Sequence, residues 1–465
     1  MKHTIHLRLL ACLLLAVMAL GCLVSCIDSL PEDKRAIRLY EKAEAQADKA
    51  SSYTIKAKLS MSCTVNDQLI KVNADINNRT VNAPEQRTLT ENKMSFYIPG
   101  TTRTDEYRTE GYMNGKAFCK GETAGIWSEM TPEEYAEWQT SKADEDFAGS
   151  TPLILAPEQA AEKTCTKDKK TGEYTVTLKG IAKDNMKELA AGMDTLTEVI
   201  GDVTLDGIDV TFVIDKHMYY KEVTITFNYS GADAAPEAEI VMTMSDWNST
   251  EIEDIENFDK DYQKVDDIRL PGLVKKAYDD AVEQPHFTLK STTQTSFNNQ
   301  STSTVETDTV DISTEGGYSF TVAANQNRGS IVQTITYKDG IFTVFDDVKG
   351  AEFAQQEMTE GEAKSFIRTI ANPVSFSDTF VSTVKKSKDG QKVEMKLTSE
   401  ALGDFKRQLT NSGINVTDSS GKVTAELDEE GSVVKIVLRM EYGIKVQNVK
   451  GTTVVEYTLD LSPKS

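Results

Sequence analysis

Histidine is scarce in this chain: there are four in 465 residues, and beyond His3 and His6 only His217 and His286 remain. That is too little imidazole for most histidine-based metal sites or catalytic triads. Cationic charge is short as well. Lys and Arg number 51 against 73 Asp and Glu, a net charge of −22 that repels phosphate backbones and excludes a nucleic-acid partner. Beyond the N-terminal segment the cysteines are Cys63, Cys119 and Cys165, an odd number whose long spacing fits neither zinc nor a disulfide framework. A Cys119 to Cys165 bridge and three buried reduced thiols both fit that count. No Gly-rich phosphate loop, Gly-x-Ser-x-Gly elbow or His-Glu-x-x-His helix occurs. Nothing in the order of residues brings Cys119 or Cys165 to His217 or His286 as nucleophile and base. The expectation is a protein that is not an enzyme, with no cofactor and no metal.

Long apolar runs are confined to the N-terminus. The stretch from Leu9 to Leu20 follows Lys2 and Arg8 and is too short and too early for a spanning helix, so it reads as an export signal. It leads into Leu23-Val24-Ser25-Cys26, with an aliphatic residue at −3, a small one at −1 and then cysteine. This resembles the bacterial lipobox. The resemblance implies a signal peptide over residues 1–25, diacylglycerol on Cys26 with palmitate-type acyl chains, and a cell-membrane protein facing the extracytoplasmic side. Residues 26–34 then form a short tether. Cleavage removes Lys2 and Arg8 but no acid, leaving −24, so the lipid and not electrostatic attraction would hold the chain at the bilayer.

The mature chain carries the same order of elements twice. Ile37, Leu39, Tyr40, Ala43 and Ala47 have helical spacing, as do Leu273, Val274, Ala277, Ala281 and Val282. These predicted helices run into Tyr53-Thr54-Ile55-Lys56 and Phe287-Thr288-Leu289-Lys290, 234 residues apart. Asn114-Gly115 and Asp339-Gly340 each sit between strand ends and predict hairpin turns. Thr131 and Thr359 precede acids and predict helix N-caps. Ile214-Asp215 matches Leu427-Asp428, and Val223, Ile225, Phe227 and Tyr229 match Ile436, Leu438, Met440 and Tyr442 at the same offset of 213. The acidic run from Glu251 to Asp261, ahead of Leu270-Pro271-Gly272, divides the copies. The predicted domains are residues 35–250 and 271–465, joined by a solvated linker over 251–270.

Strand residues Tyr53, Ile55, Ala57, Leu59, Met61, Cys63 and Val65 alternate with Thr54, Lys56, Lys58, Ser60 and Thr64, which predicts one dry and one wet face. A dry face needs cover, and helices inserted around Met186 to Leu196 and Leu402 to Leu409 are the predicted cover. The fold class expected is α+β, with two tandem related domains, each a highly curved antiparallel sheet, or half-barrel, wrapping around helices. With the lipobox and the leading helix, this order resembles the LolA-like superfamily. That superfamily includes periplasmic lipoprotein carriers and mycobacterial cell-wall lipoproteins of the LppX and LprG kind. The closer resemblance is to a group of two-domain Gram-positive lipoproteins. Only Cys26 carries over from it to a numbered position.

The resemblance implies that acyl chains sit between sheet and helices. Methionine and tryptophan concentrate in the first half, as a concave apolar site with adaptable lining would require. The candidate lining is Met61, Met94, Phe118, Trp138 and Met186. Met193, Ile225, Phe227, Met242 and Met244 complete it. Such a face serves equally as a filled core. Two functions therefore stand: a lipid-anchored binder or carrier of a hydrophobic envelope molecule, and a surface interaction or assembly module for a protein or cell-wall partner.

Overall fold

The computed structural model describes residues 30–65, 68–97, 104–143, 157–182, 204–230, 236–280, 286–297, 300–312, 318–326, 329–346, 351–357, 359, 363, 380–411, 414–446 and 449–461. Helix α1 (Glu32–Ala47) precedes β1 (Ser52–Val65), β2 (Gln68–Val81) and β3 (Arg87–Tyr97). Next come β4 (Thr104–Met113), β5 (Lys116–Lys120), β6 (Gly125–Glu129) and α2 (Pro132–Ala143). Strands β7 (Glu162–Lys167), β8 (Tyr174–Ala182), β9 (Thr204–Ile214), β10 (Tyr220–Ser230) and β11 (Glu237–Ser245) follow. One helical turn, α3 (Phe258–Asp261), then β12 (Tyr262–Lys264) and α4 (Leu270–Asp279) lead onward. The remaining strands begin with β13 (His286–Phe297), β14 (Gln300–Ile312), β15 (Tyr318–Gln326), β16 (Gly329–Lys338), β17 (Ile341–Asp346) and β18 (Ala351–Glu357). After β19 (Val381–Lys386) and β20 (Lys392–Leu397) come α5 (Gly403–Asn411), β21 (Asn415–Leu427), β22 (Val433–Val446) and β23 (Val449–Asp460).

The described chain is mainly β with a few helices, an α+β fold of open sheets with no closed barrel. It divides into two compact units, Met1–Asp105 with Ala143–Ile252, and Glu106–Lys142 with Glu253–Ser465. Cys26, and with it the signal segment, lies outside the described residues, as do Met186 and Met193.

In the first unit the strands run β3-β2-β1-β11-β10-β9-β8-β7, all antiparallel. The period-two pattern sets the register. Leu59 faces Ala74 and Ile240, and Met61 faces Val72 and Ala238, which aligns the apolar positions of neighbouring strands on one face. The start of β1 differs from expectation: Thr54, assigned to the wet face, is buried along with Ser52. The chain after β11 folds back across that face. Thr54 and Thr250 share a 3.0 Å hydroxyl hydrogen bond, the Thr250 N–H donates to Ser52 Oγ at 3.0 Å, and Asn248 N–H donates to the Ser52 carbonyl at 2.8 Å.

In the second unit one sheet runs β18-β17-β16-β15-β14-β13-β23-β22-β21-β20-β19. Its stretch from β15 to β19 follows the order of β3 to β7 element for element. The core of this unit joins Tyr112, Cys119 and Trp138 to Val274, Tyr278, Leu438 and Met440. The acids of the 251–270 segment are mostly exposed, but Ile252, Tyr262, Val265 and Ile268 are buried. Tyr262 to Lys264 pair with β6 in parallel, so the apolar residues between the acids pin the segment where composition alone suggested a solvated linker.

Local signals held. The Thr131 hydroxyl accepts from Glu134 N–H at 3.2 Å while Glu134 Oε2 accepts from Thr131 N–H at 2.8 Å, a reciprocal capping box. Asn114-Gly115 (φ 54° and 72°) and Asp339-Gly340 (φ 53° and 80°) both take the left-handed pair that a two-residue hairpin turn needs. Asp215 Oδ1 accepts from the N–H groups of His217 at 2.7 Å and Tyr219 at 2.9 Å. Asp428 Oδ1 accepts from Glu430 at 2.9 Å and Ser432 at 2.8 Å, the same turn 213 residues on.

Candidate functional site

The packed face of the first unit is covered unevenly. At one end Val176, Leu178, Ile208, Val210 and Ile214 are fully buried, each 0% exposed. Helix α1 packs at this end, its stripe of Ala36, Leu39, Tyr40 and Ala43 turned toward β7 and β8. The rings of Tyr40 and Phe212 lie 5.4 Å apart, and those of Phe212 and Tyr220 5.5 Å. Polar ties hold the helix in place. Glu32 Oε1 accepts from Cys165 N–H at 3.0 Å, Arg35 Nη2 donates to the Cys165 carbonyl at 3.2 Å, and the Tyr220 hydroxyl donates to Glu44 Oε1 at 2.6 Å. Burial pushes the Glu44 carboxyl above its ordinary range, against the opposing effect of the Tyr220 hydrogen bond.

A helix about 10 Å wide covers roughly two strands spaced about 4.8 Å apart. Across β11, β1, β2 and β3 the cover is patchy: Leu59, Met61, Ala74, Ala238 and Ile240 stay buried, while their neighbours toward β3 and the far end of β11 do not. Val72, Met94, Met242 and Met244 are only partly buried against the core, and Ile76 and Asn92 are half-buried as well. Together with β10 these strands hold most of the expected lining: Met61, Ile225 and Phe227 lie within the core at 4%, 2% and 4% exposure, and Met94, Met242 and Met244 pack against it.

Phe118 and Trp138 are not part of that assembly. Both belong to the second unit, and this corrects their grouping with the methionines. Trp138 packs on Tyr135 at 6.0 Å, and Tyr135 stacks on Tyr112 at 4.8 Å. Phe118 meets Phe258 at 5.5 Å and Tyr262 at 5.3 Å, while Lys116 Nζ sits 4.5 Å from the centre of the Trp127 ring. Alternation along β5 turns Phe118 away from the face that carries Ala117 and Cys119 into the main core. The aromatic residues of the acidic segment fill this second cluster.

Sequence reasoning passed over a polar row on the packed face. Asn78 stands opposite Thr90, and Asn92 opposite Ile76, so Asn78, Thr80, Thr90 and Asn92 share the face of Ala74 and Met94. The period-two pattern that located the methionines also marks these residues. Among the described packed-face positions of β1, β2, β3, β10 and β11 no side chain is charged, whereas Lys56, Lys58, Arg79, Glu91 and Lys93 alternate onto the opposite face. Cys63, Cys119 and Cys165 are buried and form no disulfide with one another, and burial raises the pKa of Cys63, which suppresses its thiolate. His217 is exposed in the β9 to β10 turn. Among the described residues no cluster of His, Cys, Asp or Glu is arranged to hold a metal ion, and no helix is long and apolar enough to cross a membrane.

A family model described as a family of unknown function (DUF6612) matches residues 35–278. No curated protein matches the chain. Among solved structures, LprF from Mycobacterium bovis is similar over 48% of this chain and 98% of its own, at 10% identity and a TM-score of 0.24. A Vibrio parahaemolyticus domain described as an outer membrane lipoprotein-sorting protein is similar over 40% of this chain and 88% of its own, at 9% identity and a TM-score of 0.16. The MucA/MucB complex of Pseudomonas aeruginosa is similar over 91% and 93%, at 7% identity and a TM-score of 0.19. Likenesses at these scores carry no functional argument.

Proposed function

The chain belongs to the family of unknown function DUF6612, a membership that assigns no activity, and we propose that it is a lipid-anchored extracytoplasmic protein holding a hydrophobic molecule on the packed face of its first unit. The observation that carries this reading is the uneven cover of that face. The β8 to β10 end is buried, with α1 packed on β7 and β8, while Met94, Met242 and Met244 on β3 and β11 are only partly buried. Flexible, polarisable methionines adapt to acyl chains of varied shape. The protein acts without catalysis, and the bilayer attachment is diacylglycerol on Cys26 behind the lipobox. The matching strand orders and the paired Asp215 and Asp428 turns support two copies of one sheet-and-helix module, each a curved half-barrel.

Native mass spectrometry of the chain extracted gently from membranes tests the ligand. A bound lipid adduct, lost in Met242→Glu, is expected. A wild-type chain without any adduct would instead favour an assembly module with filled cores.

A further inference from the structure

Resting on that ligand reading, we infer that the polar end of the bound molecule is uncharged and carries a hydroxyl, which Asn92 and Thr90 receive at the edge of the methionine face. Three residues of the polar row satisfy one another. The Thr80 hydroxyl donates to Asn78 Oδ1 at 3.0 Å, and Asn78 Nδ2 donates to Thr90 Oγ1 at 2.8 Å. Both ends of the Asn78 amide are thereby engaged, and Thr90, as an acceptor in that bond, keeps its own proton to donate. Asn92 ends the row differently: its Oδ1 is shielded from solvent and accepts no hydrogen bond.

An amide oxygen removed from water without a donor is destabilising, so such a group calls for a partner. Asn92 follows Thr90 and precedes Met94 on one face of β3, with successive same-face residues about 7 Å apart. A ligand whose chain lies along the partly buried Phe96, Val72 and Met94 therefore brings its head to Asn92 and Thr90. A hydroxyl satisfies the Asn92 amide in either orientation, since it both donates and accepts. A carboxylate or phosphate head would need a cation, and no charged residue shares this face among the described positions. The nearest cations along these strands lie on the opposite face, where Arg79 is already paired with Glu91 at 3.4 Å.

Three probes with the same acyl chain separate the possibilities in equilibrium binding to the full chain: 1-monooleoylglycerol, methyl oleate and oleate. Monooleoylglycerol should bind about tenfold more tightly than methyl oleate, the size of one hydrogen bond to a buried group, with oleate no better than the ester. Asn92→Leu should erase the difference by weakening only monooleoylglycerol. Equal wild-type affinities, or a preference for oleate, would overturn the headgroup assignment while leaving the apolar site standing. Failure of all three probes to bind would instead overturn the ligand reading beneath it. The wild-type ranking decides the matter even if the variant does not fold.

Discussion

The Tyr220 hydroxyl donates a 2.6 Å hydrogen bond to the Glu44 carboxylate and so fastens the C-terminal half of α1 to the start of β10. Burial raises the pKa of Glu44, with Asp48 adding to the shift and Tyr220 opposing it. The folded state therefore holds the Glu44 proton more tightly than the unfolded chain. Its contribution to stability is greatest below the unfolded carboxyl value of about 4.3 and declines as pH rises through the raised folded value. Glu44→Gln is expected to flatten that part of the pH profile in urea titrations. Tyr220→Phe is expected to cost about 1 kcal/mol at neutral pH and to steepen the profile, because the bond that favours the carboxylate is gone.

Asp215 and Asp428 organise equivalent turns, each accepting two backbone N–H groups. Replacing either by Ala should cost about 1 kcal/mol, and by similar amounts, in chemical denaturation. Markedly unequal losses would count against a common module.

The edge strands are closed by side chains that lie just ahead of or within the leading helices. Glu32 and Arg35 bind the Cys165 backbone, and Asp266, 234 residues after Glu32, accepts from the Lys386 N–H at 2.8 Å. Open strand edges invite pairing with other chains. The double variant Glu32→Ala, Arg35→Ala should speed hydrogen exchange at Cys165 and promote self-association, and Asp266→Ala should do the same at Lys386. Unchanged exchange would show that these bonds do not protect the edges.

Cys26→Ser should move the chain from the membrane fraction to the soluble extracytoplasmic fraction and abolish metabolic labelling with palmitate. Retained labelling would place the anchor elsewhere than Cys26.

Local chemistry was legible before the structure. Asn114-Gly115, the Thr131 to Glu134 box and the alternation from Ala57 to Cys63 each depend on residues within a few positions of one another, so short-range patterns suffice. The misreadings share the opposite cause. Thr54 is buried by a segment almost 200 residues downstream, and Phe118 and Trp138 join a core supplied largely by residues beyond Glu253. No spacing within β1, β5 or α2 encodes those partners. The polar row of Asn78, Thr90 and Asn92 falls on the period-two positions of the packed face, but which strand stands opposite which depends on the β2 to β3 register.

Photo-crosslinking within the envelope tests the central claim most directly. A photoreactive residue at Met94 or Met242 looks onto the packed face, and one at Lys93 or Val241 onto the opposite face of the same strands. The expected result is a lipid-sized adduct from positions 94 and 242 and none from 93 and 241. Adducts only to protein, or none from any position, would contradict a hydrophobic ligand on this face.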